Sequence, residues 1–209
     1  MALAQQGVAS EVLLWPQGEM PAALKDWDDR PVARITLKPG GQPDPLFAQV
    51  LLRRTPKTDF DTTRPVAPEL LARLLGSAPA QAPLSVGGTV SADQLPALRT
   101  LCWESARVEL LTPRTMMESI QLTRVGPAEI LQHRDGISIN SPFVRAVSAL
   151  GLFDRSAPPA EGSAAYKNAT GRFEGHSRTA MGFVWIAGPN TRSDQIHTGR
   201  LYVRQQLQA

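Results

Sequence analysis

Residues 53–57 hold a concentrated set of groups that could bind phosphate. Arg53, Arg54, Thr55 and Lys57 bring two guanidinium groups, a hydroxyl and an ammonium group into five positions. A phosphate monoester offers several acceptor oxygens, which these groups can saturate with charge-assisted hydrogen bonds. A second interpretation needs no ligand, because cations at the end of a helix interact favourably with the helix dipole, at ~0.3–1 kcal/mol. Composition and spacing alone favour this second interpretation.

The other candidate groups favour structural roles. Cys102 is the only cysteine, and the three histidines lie too far apart for a metal-binding spacing, so we predict no metal site. The stretch HRDGISIN places Asp135 five residues before Asn140, as in the catalytic loop of protein kinases, but no glycine-rich phosphate loop precedes it. A turn at Asp135 and Gly136 is the favoured interpretation. We name no catalytic acid or base.

Helices are predicted on both sides of residues 53–57. Asp44 before Pro45 is a typical helix start, and the apolar stripe that follows it runs into Arg53. Pro68 opens a second helix, whose leucines recur at helical spacing. Further helix starts are predicted at Ser91, Thr112, Gly126, Ser141 and Ser193.

Strands alternate irregularly with these helices. Alternating or apolar runs predict strands within residues 11–15, 32–37, 84–90 and 179–188, the last of them buried. Residues 154–178 are rich in Ser, Ala, Pro and Gly, and we predict a long loop of the kind that often forms a lid. Because helical stretches of uneven length separate the strands, the predicted fold class is α+β.

The bulk composition predicts a soluble globular chain. It has 209 residues, 42% of them hydrophobic, which is enough for one full domain with a core. The formal net charge is +3, and it is spread along the chain without a basic stripe, so we predict no nucleic-acid binding. No apolar run approaches the ~18 residues of a membrane span, and the start lacks the pattern of a signal peptide. We therefore predict a cytoplasmic protein without membrane contact.

Two parts of the chain resemble a known family. Residues 53–57, with Phe60, Arg64-Pro65-Val66 and PELLARLL, resemble the Arg-Arg-Ser/Thr-x-Arg segment and following helix of the FMN-dependent nitroreductases. The blocks TPRTMMESIQLTRVGPAEILQHRDGISINSPF and GPNTRSDQIHTGRLYVRQQLQA resemble the second half of the Acg-type relatives, which carry two nitroreductase-like halves in one chain. The resemblance covers most of residues 45–209. Lys57 stands where the family usually has arginine.

The resemblance implies a nitroreductase-like fold in which a mixed sheet is flanked by helices. Residues 1–44 would be the end of a preceding nitroreductase-like half and its connection. Residues 45–209 would be the second half without its C-terminal part. The implied cofactor is FMN, with Arg53, Arg54 and Lys57 neutralising its phosphate and Thr55 adding a hydrogen bond.

The activity implied by the resemblance is reduction of nitro, quinone or similar acceptors with NAD(P)H. Two alternatives stay open at this point. The chain could bind or sequester FMN without efficient turnover, or it could be inactive without its missing half. The implied partners are flavin and nicotinamide molecules, together with the missing half or a second copy of the chain.

Overall fold

The structure is a mixture of helices and small sheets, which confirms the predicted α+β class. The computed structural model describes residues 1–56, 58–77 and 82–209, and these contain eight α-helices, six strands and two 3₁₀ helices. The helices are α1 (Ala2–Gln5), α2 (Pro68–Ser77), α3 (Leu95–Leu111), α4 (Pro113–Gln121), α5 (Gly126–His133), α6 (Pro142–Ala149), α7 (Ala164–Thr179) and α8 (Arg192–Gln208). The strands are β1 (Val8–Leu14), β2 (Ala33–Pro39), β3 (Ser85–Thr89), β4 (Thr123–Val125), β5 (Ile137–Ile139) and β6 (Phe183–Ala187). The 3₁₀ helices are Leu24–Asp26 and Pro45–Gln49.

The strands of the described residues form three two-stranded sheets instead of the single mixed sheet that the resemblance implied. β1 pairs with β2 and β3 with β6, both antiparallel, whereas β4 and β5 are parallel. β4 and β5 have three residues each, and such short strands form few ladder hydrogen bonds. Helices support the pairs, because α2 packs on β3 and α5 packs on β4.

No helix in the described ranges combines the length and the apolar character that crossing a bilayer requires. The two longest of these helices, α3 and α8, have 17 residues each, and both carry charged side chains along their length.

The chain divides into two compact units. Unit 1 comprises Met1–Pro56, Thr63–Leu95 and Met181–Ala209, and unit 2 comprises Lys57–Thr62 and Pro96–Ala180. The buried apolar side chains are Met20, Leu95, Leu201 and Leu207 in unit 1 and Met116 and Val125 in unit 2. The predicted boundary between residues 44 and 45 stays a prediction.

In unit 1, β1 and β2 form a hairpin with one apolar face. Val12 lies directly opposite Ile35, and Leu37 follows two positions later on the same face. These three side chains are 46%, 58% and 56% exposed, respectively. The opposite face carries the ion pair between Glu11 and Lys38, at 2.7 Å. The hairpin therefore presents a face without charged residues to solvent.

The start of α8 is fixed by a capping box that differs from the predicted cap. Thr191, not Ser193, is the N-cap: its hydroxyl accepts the N–H of Asp194 over 3.1 Å, and the Asp194 carboxylate accepts the N–H of Thr191 over 3.0 Å. Ser193 instead donates its N–H to Oε1 of Glu19. Both Thr191 and Ser193 are good cap residues, and the acidic residue three positions after Thr191 decides between them.

In unit 2, a tight turn leads from α5 into β5. Arg134 takes the left-handed conformation after the helix, and Gly136 follows with φ of +70°. The carbonyl of Leu122 occupies the space that a Cβ on residue 136 would need, and the N–H of Ile137 donates to that carbonyl over 2.9 Å. The predicted turn at this place is confirmed.

The predicted loop over residues 154–178 is wrong for most of its length, because α7 begins at Ala164. Ser163 caps this helix, and its hydroxyl accepts the N–H of Tyr166 over 3.1 Å. Glycines at positions 171 and 175 and a polar composition hid the helical pattern, since both lower helix propensity and weaken the apolar stripe.

Candidate functional site

Arg53 and Thr55 are brought together on the surface of unit 1. Nη1 of Arg53 donates to Oγ1 of Thr55 over 3.0 Å, and both residues are exposed. The guanidinium keeps further N–H donors after this bond, and the hydroxyl keeps its own proton to donate. The pair therefore presents several donors to solvent at one place, as binding a phosphate group requires.

The helix before this pair is shorter than predicted. It is a 3₁₀ helix that ends at Gln49, whose carbonyl accepts the N–H of Arg53 over 2.9 Å. Of the predicted apolar stripe, Phe47 is half-buried, whereas Val50 is 43% exposed and Leu51 is 83% exposed, so the stripe is not buried beyond the 3₁₀ helix. Without such burial nothing stabilises a longer helix here, because tertiary packing supplies most helical stability. The arginines therefore come directly after a turn at residues 50–52.

Arg54 uses its guanidinium differently from Arg53. Its Nη1 donates to the carbonyls of Leu51 and Arg53, over 2.6 and 2.9 Å. Carbonyls at the end of a helical turn lack intrahelical partners, so these bonds agree with the helix-end interpretation. Nε and Nη2 of Arg54 remain as donors. Arg54 thus closes the turn and retains capacity for a ligand.

Asp44 ties the start of this 3₁₀ helix to α8. Its Oδ1 accepts the N–H of Leu46 over 3.0 Å, and its Oδ2 lies 2.7 Å from Nη1 of Arg204. The hydrogen bond from Arg204, followed by that from Leu46, holds the pKa of the Asp44 carboxyl below its ordinary value. An ion pair within unit 1 therefore holds the start of the 3₁₀ helix that precedes Arg53.

Lys57 lies outside the described residues, so its predicted contact with phosphate stays a prediction. The residues that follow it, 58–62, belong to unit 2 and lie on α7. The N–H of Phe60 donates to Oγ1 of Thr179 over 2.9 Å, and the ring of Phe60 packs against that of His176 with centroids 5.8 Å apart. Phe60, which belongs to the family-like segment, therefore has a structural contact.

The kinase-like stretch contributes an ion pair instead of a catalytic base. Oδ1 of Asp135 lies 2.9 Å from Nε of Arg124, whose side chain is only 12% exposed. The hydrogen bond from Arg124 is the main cause that lowers the pKa of Asp135. A carboxylate held ionised in this way is a weak proton acceptor, which agrees with its assignment to a turn.

Two cavities are lined by residues of unit 2. The larger, of about 610 Å³, is lined by Val125, Gly126, Pro142, Arg145, Ala146, Ser148 and Ala149. The smaller, of about 220 Å³, is lined by Leu110, Leu111, Pro113, Met116, Pro158, Pro159, Glu161 and Tyr166. Sequence reasoning missed Glu161 and Tyr166 because both fell in the predicted loop. The consecutive prolines Pro158 and Pro159 were the sequence feature that could have indicated a rigid cavity wall.

Metal binding has no candidate centre in residues 1–56, 58–77 and 82–209. No group of three or more Cys, His, Asp or Glu side chains there is placed to hold an ion. Cys102 lies half-buried on α3 as a free thiol.

The comparisons with known proteins give no match. No family model, no curated protein and no solved structure matches this chain.

Proposed function

We propose that the chain is an FMN-dependent oxidoreductase of the nitroreductase type, in which Arg53, Arg54, Thr55 and Lys57 bind the FMN phosphate. The observation that carries this proposal is the hydrogen bond between Arg53 and Thr55. It supports the proposal because two of the four groups named from the sequence lie together on an exposed surface. The nitroreductase-like fold and the division into halves at residues 44 and 45 belong to the same proposal.

The described residues of the cluster fit a phosphate monoester. Arg53 and Thr55 offer adjacent donors, and Arg54 offers the two guanidinium nitrogens that its carbonyl contacts leave free. All three are exposed, so a dianionic phosphate can reach them. Two guanidinium groups would neutralise its charge, and the hydroxyl would add a directional hydrogen bond.

Bound FMN would supply the redox chemistry, taking hydride from a reduced nicotinamide and passing electrons to a nitro or quinone acceptor. The role of the chain's own residues is to hold the phosphate and so orient the cofactor. No side chain is assigned as acid or base.

The activity is tested by anaerobic stopped-flow mixing of the FMN-loaded chain with NADH or NADPH. We expect the visible absorbance of oxidised flavin to disappear with either nicotinamide and to return when a quinone or a nitroaromatic compound is added. If the chain retains FMN and neither nicotinamide reduces it, the oxidoreductase proposal is wrong. That result would favour the alternative, a protein that binds or sequesters FMN without turnover.

A second candidate is that the chain acts only as part of a larger assembly. The observation that favours it is the exposed apolar face of the β1–β2 hairpin. A two-stranded hairpin is marginally stable by itself, and an uncharged face gains from being covered. We propose that a second copy of the chain covers it, because two such faces meet without bringing like charges together.

A further inference from the structure

The smaller cavity of unit 2 has a mostly apolar lining. It lies where the end of α3, the start of α4 and the segment before α7 meet, and its volume is about 220 Å³. Two leucines, three prolines and a methionine form most of its lining. Prolines give rigid walls because their rings fix φ, and Met116, 8% exposed, closes the cavity toward the core. Such a cavity favours an apolar ligand.

Glu161 is the one charged residue of this lining. Glu161 is exposed to solvent. None of the ion pairs among the described residues includes it. The charge that would complement the cavity is therefore a single positive one.

Tyr166 is the one aromatic residue of the same lining, and its backbone is held in place by two hydrogen bonds. Its N–H donates to the Ser163 hydroxyl over 3.1 Å, and its carbonyl accepts the Thr170 hydroxyl over 3.0 Å. The face of an aromatic ring attracts a cation, because the ring carries partial negative charge on its face. A carboxylate and an aromatic ring around one apolar cavity are a suitable combination for an organic ammonium ion.

We propose that this cavity binds a small hydrophobic cation, an organic ammonium compound with one apolar ring or branched chain. The apolar body would contact the prolines and leucines, and the ammonium group would lie between Glu161 and Tyr166. An engineered apolar cavity of about 150 Å³ accommodates benzene, so a cavity of about 220 Å³ has room for one ring with a short ammonium group. The site lies wholly in unit 2 and does not depend on the proposed flavin site.

The test uses three probes that share one ring and differ in charge: benzyltrimethylammonium, benzyl alcohol and benzoate. Binding to the full chain is followed by NMR of ¹³C-labelled methionine methyl groups, with the Met116 signal assigned from a Met116→Leu variant. We expect a saturable shift of the Met116 signal, with the cation bound most tightly and benzoate least. Higher salt is expected to weaken cation binding and leave benzyl alcohol unchanged.

Variants identify the charged and aromatic groups. Glu161→Gln is expected to weaken cation binding about two- to fivefold, the size of one exposed charge contact, and to leave benzyl alcohol binding unchanged. Tyr166→Leu is expected to weaken the cation more than the alcohol. Glu109→Gln, which changes an exposed carboxylate of α3 outside the lining, is the control and is expected to have no effect.

Three results would overturn the proposal. One is the absence of a saturable Met116 shift with a folded chain. Another is similar affinity for all three probes. The third is cation binding that neither Glu161→Gln nor Tyr166→Leu changes while both variants keep the wild-type methyl spectrum. If Glu161→Gln fails to fold, the salt dependence and the Tyr166→Leu variant decide the matter in its place.

Discussion

At the scale of single residues, Arg53 and Arg54 show how adjacent arginines take different roles. Arg53 reaches forward to the Thr55 hydroxyl, whereas Arg54 turns back to the carbonyls of Leu51 and Arg53. The sequence offered a phosphate site and a helix end as competing interpretations. The geometry of Arg54 agrees with the second, and the contact of Arg53 with Thr55 leaves the first as a proposal with structural support.

At position 136 the backbone conformation and the neighbouring Leu122 carbonyl require glycine. Gly136→Ala places a Cβ against the Leu122 carbonyl at φ of +70°, so we expect it to lower the free energy of unfolding by ~1–3 kcal/mol. Gly171→Ala is the matched control, because nothing lies within 4 Å of its Cβ position in α7. Alanine there should raise the free energy of unfolding by ~0.5–1 kcal/mol. Urea unfolding measures both, and equal midpoints for the two variants would refute this account of the turn.

At the scale of elements, the sequence predicted some helix starts and misplaced others, since α3 begins at Leu95 and not at Ser91, and Thr191 and not Ser193 caps α8. Ser141 caps α6 and Asp44 caps its 3₁₀ helix as predicted, because a cap is a local bond between a side chain and the next turn. Whether the helix after Asp44 continued depended on burial of Val50 and Leu51, which no local pattern determines. The strand β6 formed as predicted, but Val184 and Trp185 are 41% and 48% exposed, because one short partner strand does not bury both faces.

The contact between Asp44 and Arg204 should make the stability of unit 1 depend on pH. The pKa of Asp44 is lowered in the folded chain, so its ionised carboxyl stabilises the fold above the unfolded value of about 3.9. That contribution is lost as the pH falls through the lower, folded-state pKa. Asp44→Asn keeps an N-cap but removes the charge, and we expect a loss of ~0.5 kcal/mol at neutral pH, since the pair is partly exposed.

Urea unfolding from neutral pH down to the acid range measures this effect. The free-energy difference between the wild-type chain and Asp44→Asn should disappear at the acid end. Asp29→Asn is the control, because Asp29 is exposed and the ion pairs of the described residues do not include it. A difference that stays constant with pH would show that the charge of Asp44 does not matter.

At the scale of the whole molecule, the units and their exposed surfaces were the hardest features to predict. Unit 1 joins the first 56 residues to the last 29, from Met181 to Ala209. Local sequence patterns cannot predict contacts between segments so far apart in the chain. The α+β class followed from element types alone. The residue types predicted the candidate site. The hydrogen bond between Arg53 and Thr55 depends on the backbone conformation after a turn, which residue types alone do not determine.

The hairpin face predicts self-association. Ile35→Thr keeps a β-branched residue but removes apolar area, so we expect it to weaken association of the chain about tenfold or more. Arg34→Thr is the control, because Arg34 lies on the opposite face of β2. Sedimentation velocity over a range of protein concentrations gives the comparison. If the wild-type chain stays monomeric at every concentration, a second copy of the chain does not cover the apolar face of the hairpin.

Binding of the FMN phosphate by the cluster around Arg53 is tested by a titration that is followed by flavin fluorescence. FMN is titrated with the folded chain, with the Arg53→Ala, Arg54→Ala double variant and with an Arg34→Ala, Arg73→Ala control, which removes two other exposed arginines of unit 1. We predict saturable binding to the wild-type chain and to the control, weakened by inorganic phosphate and lost in the first double variant. Equal affinity in all three proteins, or no binding to a folded wild-type chain, would contradict the claim.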